Sequence, residues 1–196
     1  MQISKTLLEE LSVWQIQSTV HLDKNDPLST IGALGYHYIQ LTIFRAIMRP
    51  FVAMSSSNID PAESGQHGQT SQTEVIGFAR TGVRTSTAAA AKFVNDLKEE
   101  HSHIFWPQWT QVAFSSICYM NLTMAMSSPD AEEATTWFQS LQNIRREMRL
   151  KASMLPVLRL GLLRIDSLFW KGLGKVLHLQ AHVKDAFENS MGTNSG

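Results

Sequence analysis

Apolar residues recur at steps of three and four along most of the chain, the spacing that places side chains on one face of an α-helix. The clearest stripe starts at Val75 and repeats as far as Leu97. Further stripes lie within residues 3–14, 28–41, 109–124, 137–148 and 155–173. No segment combines strict alternation with enrichment in β-branched residues, the pattern of a strand. The sequence therefore predicts an all-α protein, an irregular bundle of about six to seven helices with no sheet.

Residues that favour helix ends frame these stripes. The Asp-Pro pair at residues 26–27 is typical of a helix start, and Pro50 is expected to end that helix just before it. Ser128, followed by a proline, predicts the cap of a later helix. Gly172 lies at the end of the last stripe, where glycine commonly ends a helix.

Length and composition indicate one domain. With 196 residues, 43% of them hydrophobic and 17% charged, the chain is long enough to bury a single core. Residues 55–72 are rich in Ser, Gly, Pro, Asn and Gln and predict a mobile surface loop. The polar residues 189–196 predict a disordered tail. We expect a single helical domain over residues 1–188.

The charge is balanced overall but unevenly distributed. There are 17 basic and 17 acidic side chains, so the chain as a whole has no net attraction to nucleic acid or to an anionic membrane. Residues 145–175, however, contain eight basic residues and only two acidic ones. Basic residues interspersed with a leucine stripe are typical of the solvated face of a helix. The alternative is that they bind an acidic partner, DNA phosphates or a coactivator.

Cysteine usage and hydropathy indicate whether the protein is expected inside the cell, in a membrane or outside the cell. Cys118 is the only cysteine, which excludes an intrachain disulfide and a zinc site built from thiolates. The first residues lead directly into an amphipathic stretch without the apolar core of a signal peptide, so we expect an intracellular protein. Residues 104–129 carry no charge, but polar side chains interrupt the apolar run. This predicts a buried central helix and no membrane span.

The seven histidines do not form a recognisable metal motif. His101 and His103 are two residues apart and point to different sides of a helix, while His178 and His182 lack the glutamate of a metalloprotease helix. Cys118 lies within an apolar stripe, where a thiol is usually an inert packing group. We therefore expect no metal, no cofactor and no catalytic residue, and the chain is not predicted to be an enzyme.

An aromatic cluster precedes the most apolar helix. Phe105, Trp106 and Trp109 surround a proline there. Core filling is the simpler interpretation, and the alternative is that these rings line a pocket between helices, since ligand pockets are mostly apolar with a few polar groups. Together with Arg45 and Arg49 of an earlier helix, they form our candidate effector pocket or interface.

Several segments resemble one protein family. Residues 36–51, YHYIQLTIFRAIMRPF, resemble the Tyr-His … Leu-Phe-Arg-Pro-Phe helix of the fungal-specific regulatory (middle homology) domain of zinc binuclear-cluster transcription factors. Residues 79–83, 88–93, 105–109, 149–151 and 155–166 are similar, in the same order, to that domain's successive helices. The resemblance covers residues 14–177 of this chain. In the family, these segments correspond to the carboxy-terminal part of the regulatory domain.

The resemblance implies a nuclear transcription-regulatory module that contacts other regulatory proteins or an upstream domain, and some members of the family respond to a metabolite. Members usually carry a six-cysteine zinc cluster that binds DNA, which this chain with one cysteine cannot supply. Direct DNA binding is therefore not expected. A shift between two helix packings would transmit the signal.

Two alternatives to this regulatory function stay open. One is an α-helical small-molecule-binding protein or enzyme with a site at His37, His101 and Arg45. The other is a fragment that is unstable alone because an apolar face is exposed.

Overall fold

The computed structural model describes residues 2–21, 27–56, 66–173 and 179–192. These residues form seven α-helices: α1 (Gln2–His21), α2 (Pro27–Ser56), α3 (Gln66–Asp96), α4 (Trp109–Met126), α5 (Ala131–Lys151), α6 (Pro156–Trp170) and α7 (Ala181–Gly192). A 3₁₀ turn, Glu99–His103, lies between α3 and α4. The described part of the chain contains no strand, so the predicted all-α bundle is confirmed.

Helix α4 lies at the centre of the bundle and contacts α2, α3, α5 and α6. Its side chains are buried around most of its circumference: Thr110, Ala113, Phe114, Ser115, Ile117, Cys118, Met120, Asn121, Leu122, Met124 and Ala125. Buried Ser115 satisfies its hydroxyl within the helix, where its Oγ donates to the Val112 carbonyl at 3.0 Å. The predicted buried central helix is confirmed. Within the described ranges, no helix is long and apolar enough to cross a membrane.

Two glycines mark places where helices pack closely. A Cβ atom at Gly161 of α6 would lie 3.1 Å from Phe114 Cβ of α4, tighter than ordinary van der Waals contact. A Cβ atom at Gly82 of α3 would overlap the ring of Phe44 on α2. The missing side chain at each position lets the neighbouring helix approach.

Polar contacts hold α3 against α5 near both ends of the pair. Arg80 of α3 forms an ion pair with Glu133 of α5 at 2.9 Å. At the other end, Lys151 Nζ donates to the carbonyls of Asn95 and Leu97 at 2.7 and 2.6 Å. These carbonyls belong to the end of α3, where backbone acceptors lack partners within the helix.

Helices α2 and α3 are both longer than predicted. Helix α2 continues through Pro50 to Ser56, because a proline removes only one amide donor and the flanking helical bonds remain. Helix α3 begins at Gln66, so residues 55–56 and 66–72 of the predicted loop are helical and the prediction is wrong for them. The packed part of α3 nucleates a helix that polar residues then extend. The rest of that loop, residues 57–65, lies outside the described residues.

The start of α5 also differs from the prediction. Its cap is Asp130, whose extended backbone lets the carboxylate accept a hydrogen bond from the Glu133 amide at 2.8 Å. Ser128 instead donates its hydroxyl to the Met124 carbonyl at 2.8 Å and so belongs to the end of α4. Ser128 and Asp130 are two residues apart and both favour cap positions, so the sequence alone does not determine which of them caps α5.

The carboxy-terminal region contains one confirmed and one wrong prediction. Helix α6 ends at Trp170, and Gly172 follows with a φ of 81°, so the predicted glycine cap is confirmed. The predicted tail from residue 189 is wrong for residues 189–192, which belong to α7. Val183 and Ala186 of α7 are buried and Phe187 packs against the core, because their spacing gives a short helix an apolar face. Residues 193–196 lie outside the described residues.

Candidate interaction surfaces

The three clustered aromatic residues point in different directions. Trp106 is half-buried, with its indole N–H donating to the His101 carbonyl at 3.0 Å and its ring 5.7 Å from that of Phe114. Trp109 stacks on Tyr38 of α2 at a centroid distance of 6.3 Å. Phe105 is 83% exposed. Trp106 therefore fills the core, Trp109 joins α4 to α2, and Phe105 faces solvent.

Arg45 and Arg49 are exposed on α2, one turn apart. Arg45 lies seven residues beyond Tyr38, the residue on which Trp109 stacks, which is about 10 Å along the helix. Among the described residues, neither arginine forms an ion pair. The structure therefore places Trp109 against α2 and Trp106 in the core. Among the described residues, no contact joins either tryptophan to the two arginines.

Three of the described histidines contact neighbouring residues. His101 Nδ1 accepts a hydrogen bond from the Lys98 amide at 2.9 Å, and His182 Nε2 lies 3.0 Å from the Ser128 carbonyl. His37 is close to Phe93, with ring centroids 5.8 Å apart, and burial lowers the pKa of its imidazole below 6.5. Across the described ranges, no group of three or more His, Cys, Asp or Glu side chains is placed to hold a metal ion. His178 lies outside those ranges.

Cys118 is completely buried in α4, with its sulfur 3.9 Å from Met148 Sδ. Burial raises the pKa of this thiol to about 12, because the apolar surroundings disfavour the thiolate. The side chain is therefore a packing group and not a nucleophile at neutral pH.

The basic stretch from residue 145 divides into two groups. Arg145 is buried and paired with Asp166, which contradicts a solvated face at that position. Its burial depends on an acceptor on a different helix, which a pattern within one helix does not reveal. Arg159 and Arg164 are exposed and fit the solvated face.

The outer face of α6 carries large exposed apolar side chains. Leu160, Leu163 and Trp170 are 45%, 51% and 75% exposed. At about 100° per residue, these three positions lie within about 80° of the helix circumference. Leu158, Leu162 and Ile165 form the opposite, buried face. Helix α6 is thus apolar on two sides, and among the described helices only the inner side is buried.

Cations border the exposed stripe of α6. Arg159 lies at one edge, and Arg164 and Lys171 lie at the other. All three are exposed, and none of them forms an ion pair with a described carboxylate. We call the stripe of Leu160, Leu163 and Trp170 with these three cations the outer α6 face.

A cleft of about 350 Å³ lies between α3 and α5. Its walls are mainly amide and hydroxyl side chains with one carboxylate: Ala91, Asn95, Thr136, Gln139, Ser140, Asn143, Ile144 and Glu147. It includes none of the aromatic residues or arginines that the sequence suggested. The sequence of residues 136–143 does not predict a cleft, because polar side chains on one face of a helix are also the pattern of an ordinary solvated surface.

Comparison of the chain with models of protein families, with curated proteins and with solved structures finds no match.

Proposed function

We propose that the chain is a transcription-regulatory module that acts in the nucleus through contacts with other proteins and does not itself read DNA. The observation that carries the proposal is the outer α6 face. Large apolar side chains are often withdrawn from water, and a group of them exposed on one face of a helix and bordered by polar residues is typical of a protein-binding surface. The resemblance of residues 36–51 and the later segments to the fungal regulatory domain supports transcription as the process that the module regulates.

The bundle offers a physical route for regulation. Helix α6 joins α5 through Arg145 and Asp166 and packs on the central α4 through Gly161. A partner that binds the outer α6 face in one helix packing more tightly than in another shifts the population toward that packing. The largest shift in population that the partner can cause is set by the ratio of its affinities for the two packings.

Tethering the chain to an unrelated DNA-binding domain upstream of a reporter gene tests this function. We expect the fusion to raise or lower reporter expression relative to the DNA-binding domain alone. The variant L160S/L163S/W170S should return expression to that baseline, because it removes the exposed apolar group. Its matched control is I39S/L150S, which replaces exposed apolar side chains on α2 and α5. If the unaltered fusion accumulates normally but gives the same reporter expression as the DNA-binding domain alone, the proposal is refuted.

The cleft between α3 and α5 favours a second function, the binding of a small polar molecule. Its amide and hydroxyl groups can donate and accept hydrogen bonds to a neutral ligand. Thermal unfolding in the presence of monosaccharides, polyols and amino acids tests it. A ligand should raise the melting temperature of the unaltered chain and leave S140F, in which a ring fills the cleft, unchanged. Equal shifts in both proteins would exclude the cleft as the site.

A further inference from the structure

We infer that the outer α6 face binds an acidic amphipathic helix of a partner protein. This inference rests on the proposed function, because it names the surface and the chemical class of partner through which the module acts. It is carried by three properties of the face: its shape, its uncompensated charge and its rigid support.

The exposed apolar side chains match the length of a short partner helix. Leu160 and Trp170 are ten residues apart, so the stripe extends about 15 Å along α6. That is nearly three helical turns, which is enough for the two turns over which apolar residues at positions i, i+3 or i+4, and i+7 of a partner form one face. Trp170, with the largest exposed fraction of the three, supplies the broad aromatic surface that commonly anchors such contacts.

The charge of the face selects an acidic partner. Arg159, Arg164 and Lys171 border the stripe on both sides. Asp166, the only acidic residue of α6, is turned toward Arg145 and Arg149 and pairs with both. The cations at the stripe therefore have no carboxylate on their own helix to neutralise them. A partner with Asp and Glu on either side of its apolar face would supply the complementary charges.

The same arrangement disfavours two other occupants. In a symmetric dimer through this face, two basic borders would be brought together, and like charges across an interface oppose association. An anionic membrane attracts helices with a wide apolar face and clusters of about four to eight basic residues. The outer α6 face has a narrow stripe and three cations, which suits a partner helix better.

Helix α6 is a rigid platform for such a contact. Its inner side chains Leu158, Leu162 and Ile165 are buried, and Gly161 seats it directly on Phe114 of α4. The ion pair of Asp166 fixes its rotation relative to α5. Because the helix that carries the exposed side chains is already held in place, a partner spends no free energy on ordering the backbone of this surface.

Fluorescence anisotropy with a labelled synthetic peptide tests the inference on the whole chain. The probe is a helix of about 16 residues, with leucine and phenylalanine on one face and glutamate on both borders. Its control has the same composition in an order that destroys the apolar face. We expect the ordered peptide to bind at least about tenfold more tightly than the control peptide. Equal affinity for the two peptides, or binding of neither, would overturn the inference.

Variants locate the contact and exclude unfolding as its explanation. L160S/L163S and the charge reversal R159E/R164E/K171E should each weaken peptide binding about tenfold or more. L150S, an exposed apolar residue on α5, should leave it unchanged. Circular dichroism melts identify any variant that fails to fold. The three residues changed in R159E/R164E/K171E are all exposed, so we expect this variant to fold. It therefore still tests the contact if L160S/L163S unfolds. Peptide affinity that neither variant changes would place the contact elsewhere.

Two further measurements separate the rival occupants. Co-sedimentation with phosphatidylserine–phosphatidylcholine vesicles, in the absence of peptide binding, would overturn the inference in favour of a membrane. A dimer in sedimentation equilibrium that R159E/R164E/K171E or L160S/L163S dissociates would overturn it in favour of a second copy.

The outcomes also distinguish this inference from the proposed function. Peptide binding that the α6 variants abolish, with no reporter effect of the tethered chain, would support the inference and refute the transcriptional role. Reporter regulation that survives R159E/R164E/K171E, together with absent peptide binding, would refute the inference and leave the transcriptional role standing.

Discussion

Arg145 of α5 and Asp166 of α6 form the most buried ion pair among the described residues. Arginine Nη2 and Nε both donate to Asp166 Oδ1, at 2.7 and 3.0 Å, and Nη1 donates to Gln142 Oε1 at 2.8 Å. Arg149 bonds to both carboxylate oxygens, and the Arg145 guanidinium lies 3.7 Å from the centre of the Phe169 ring. The pair joins two helices, and each charge depends on the other because little water reaches either.

Removing one member of this pair should destabilise the bundle strongly. We expect D166A to lower the free energy of unfolding by about 3–5 kcal/mol, because it leaves the Arg145 charge buried without its main partner. The measurement is urea denaturation followed by circular dichroism. The apolar double variant R145M/D166L should recover most of the loss, since it removes both charges together.

The exposed pair of Lys92 and Asp96, which are four residues apart on α3, is the matched control. K92A should change the free energy of unfolding by only about 0.3–0.5 kcal/mol, because both side chains are exposed and screened by water. A loss in D166A as small as that in K92A would contradict the buried-pair interpretation.

Two glycines of α3 should respond to alanine with opposite signs. The added methyl group in G82A meets the Phe44 ring of α2, and we expect a loss of about 1–3 kcal/mol in the free energy of unfolding. Gly77 has no atom within 4 Å of a built Cβ, so G77A should gain about 0.5–1 kcal/mol from the better helix propensity of alanine. Denaturant unfolding of both variants checks the signs, and a stabilising G82A would mean that α2 and α3 are not packed at this position.

The fold followed from local patterns where burial and periodicity agree. Val83 and Ala90 lie on the stripe predicted for α3, and both are fully buried. The charge-free sequence of α4 identified the helix that is buried on most sides, because burying an unpaired charge is costly. Helix ends were less predictable. Pro50 and Ser128 have strong local preferences, but packing of the whole helix outweighed the first and a neighbouring aspartate replaced the second.

The candidate surfaces were harder to predict, because they depend on how the helices are placed in space. Trp106 and Trp109 are three residues apart, yet one packs into the core and the other stacks on α2. Leu160 and Leu163 are readable as a second apolar stripe of α6, but only the packed bundle shows that none of its described helices covers them. The burial of Arg145 likewise required an acceptor on another helix.

The half-buried His37 of α2 should make stability depend on pH. Burial lowers the pKa of His37, and its Nδ1 has no hydrogen-bond partner among the described residues. The unfolded chain binds a proton below about pH 6.5 more readily than the folded chain does, so stability is full above that pH and falls as the pH drops. H37L should show a smaller loss of unfolding free energy between about pH 7 and pH 5 than the unaltered chain.

The exposed His103 provides the control for this pH effect. H103Q should keep the pH dependence of the unaltered chain in the same denaturation series, because His103 is exposed and its replacement leaves the core around His37 unaltered. A curve for H37L that runs parallel to that of the unaltered chain would mean that His37 ionises freely in the folded state.

Cys118 should report on opening of the core. Because burial raises the pKa of its thiol to about 12, the folded chain should react with a thiol reagent such as dithionitrobenzoate only through unfolding, and the chain in concentrated guanidinium chloride should react at once. In the unfolded state the thiol loses its proton near 9.0, so between that pH and about 12 the unfolded state binds fewer protons and stability falls. The variant C118A should lose this alkaline component of the fall in stability. Rapid labelling of the folded chain at about pH 8 would show that the thiol is accessible and that α4 is not the buried centre of the bundle.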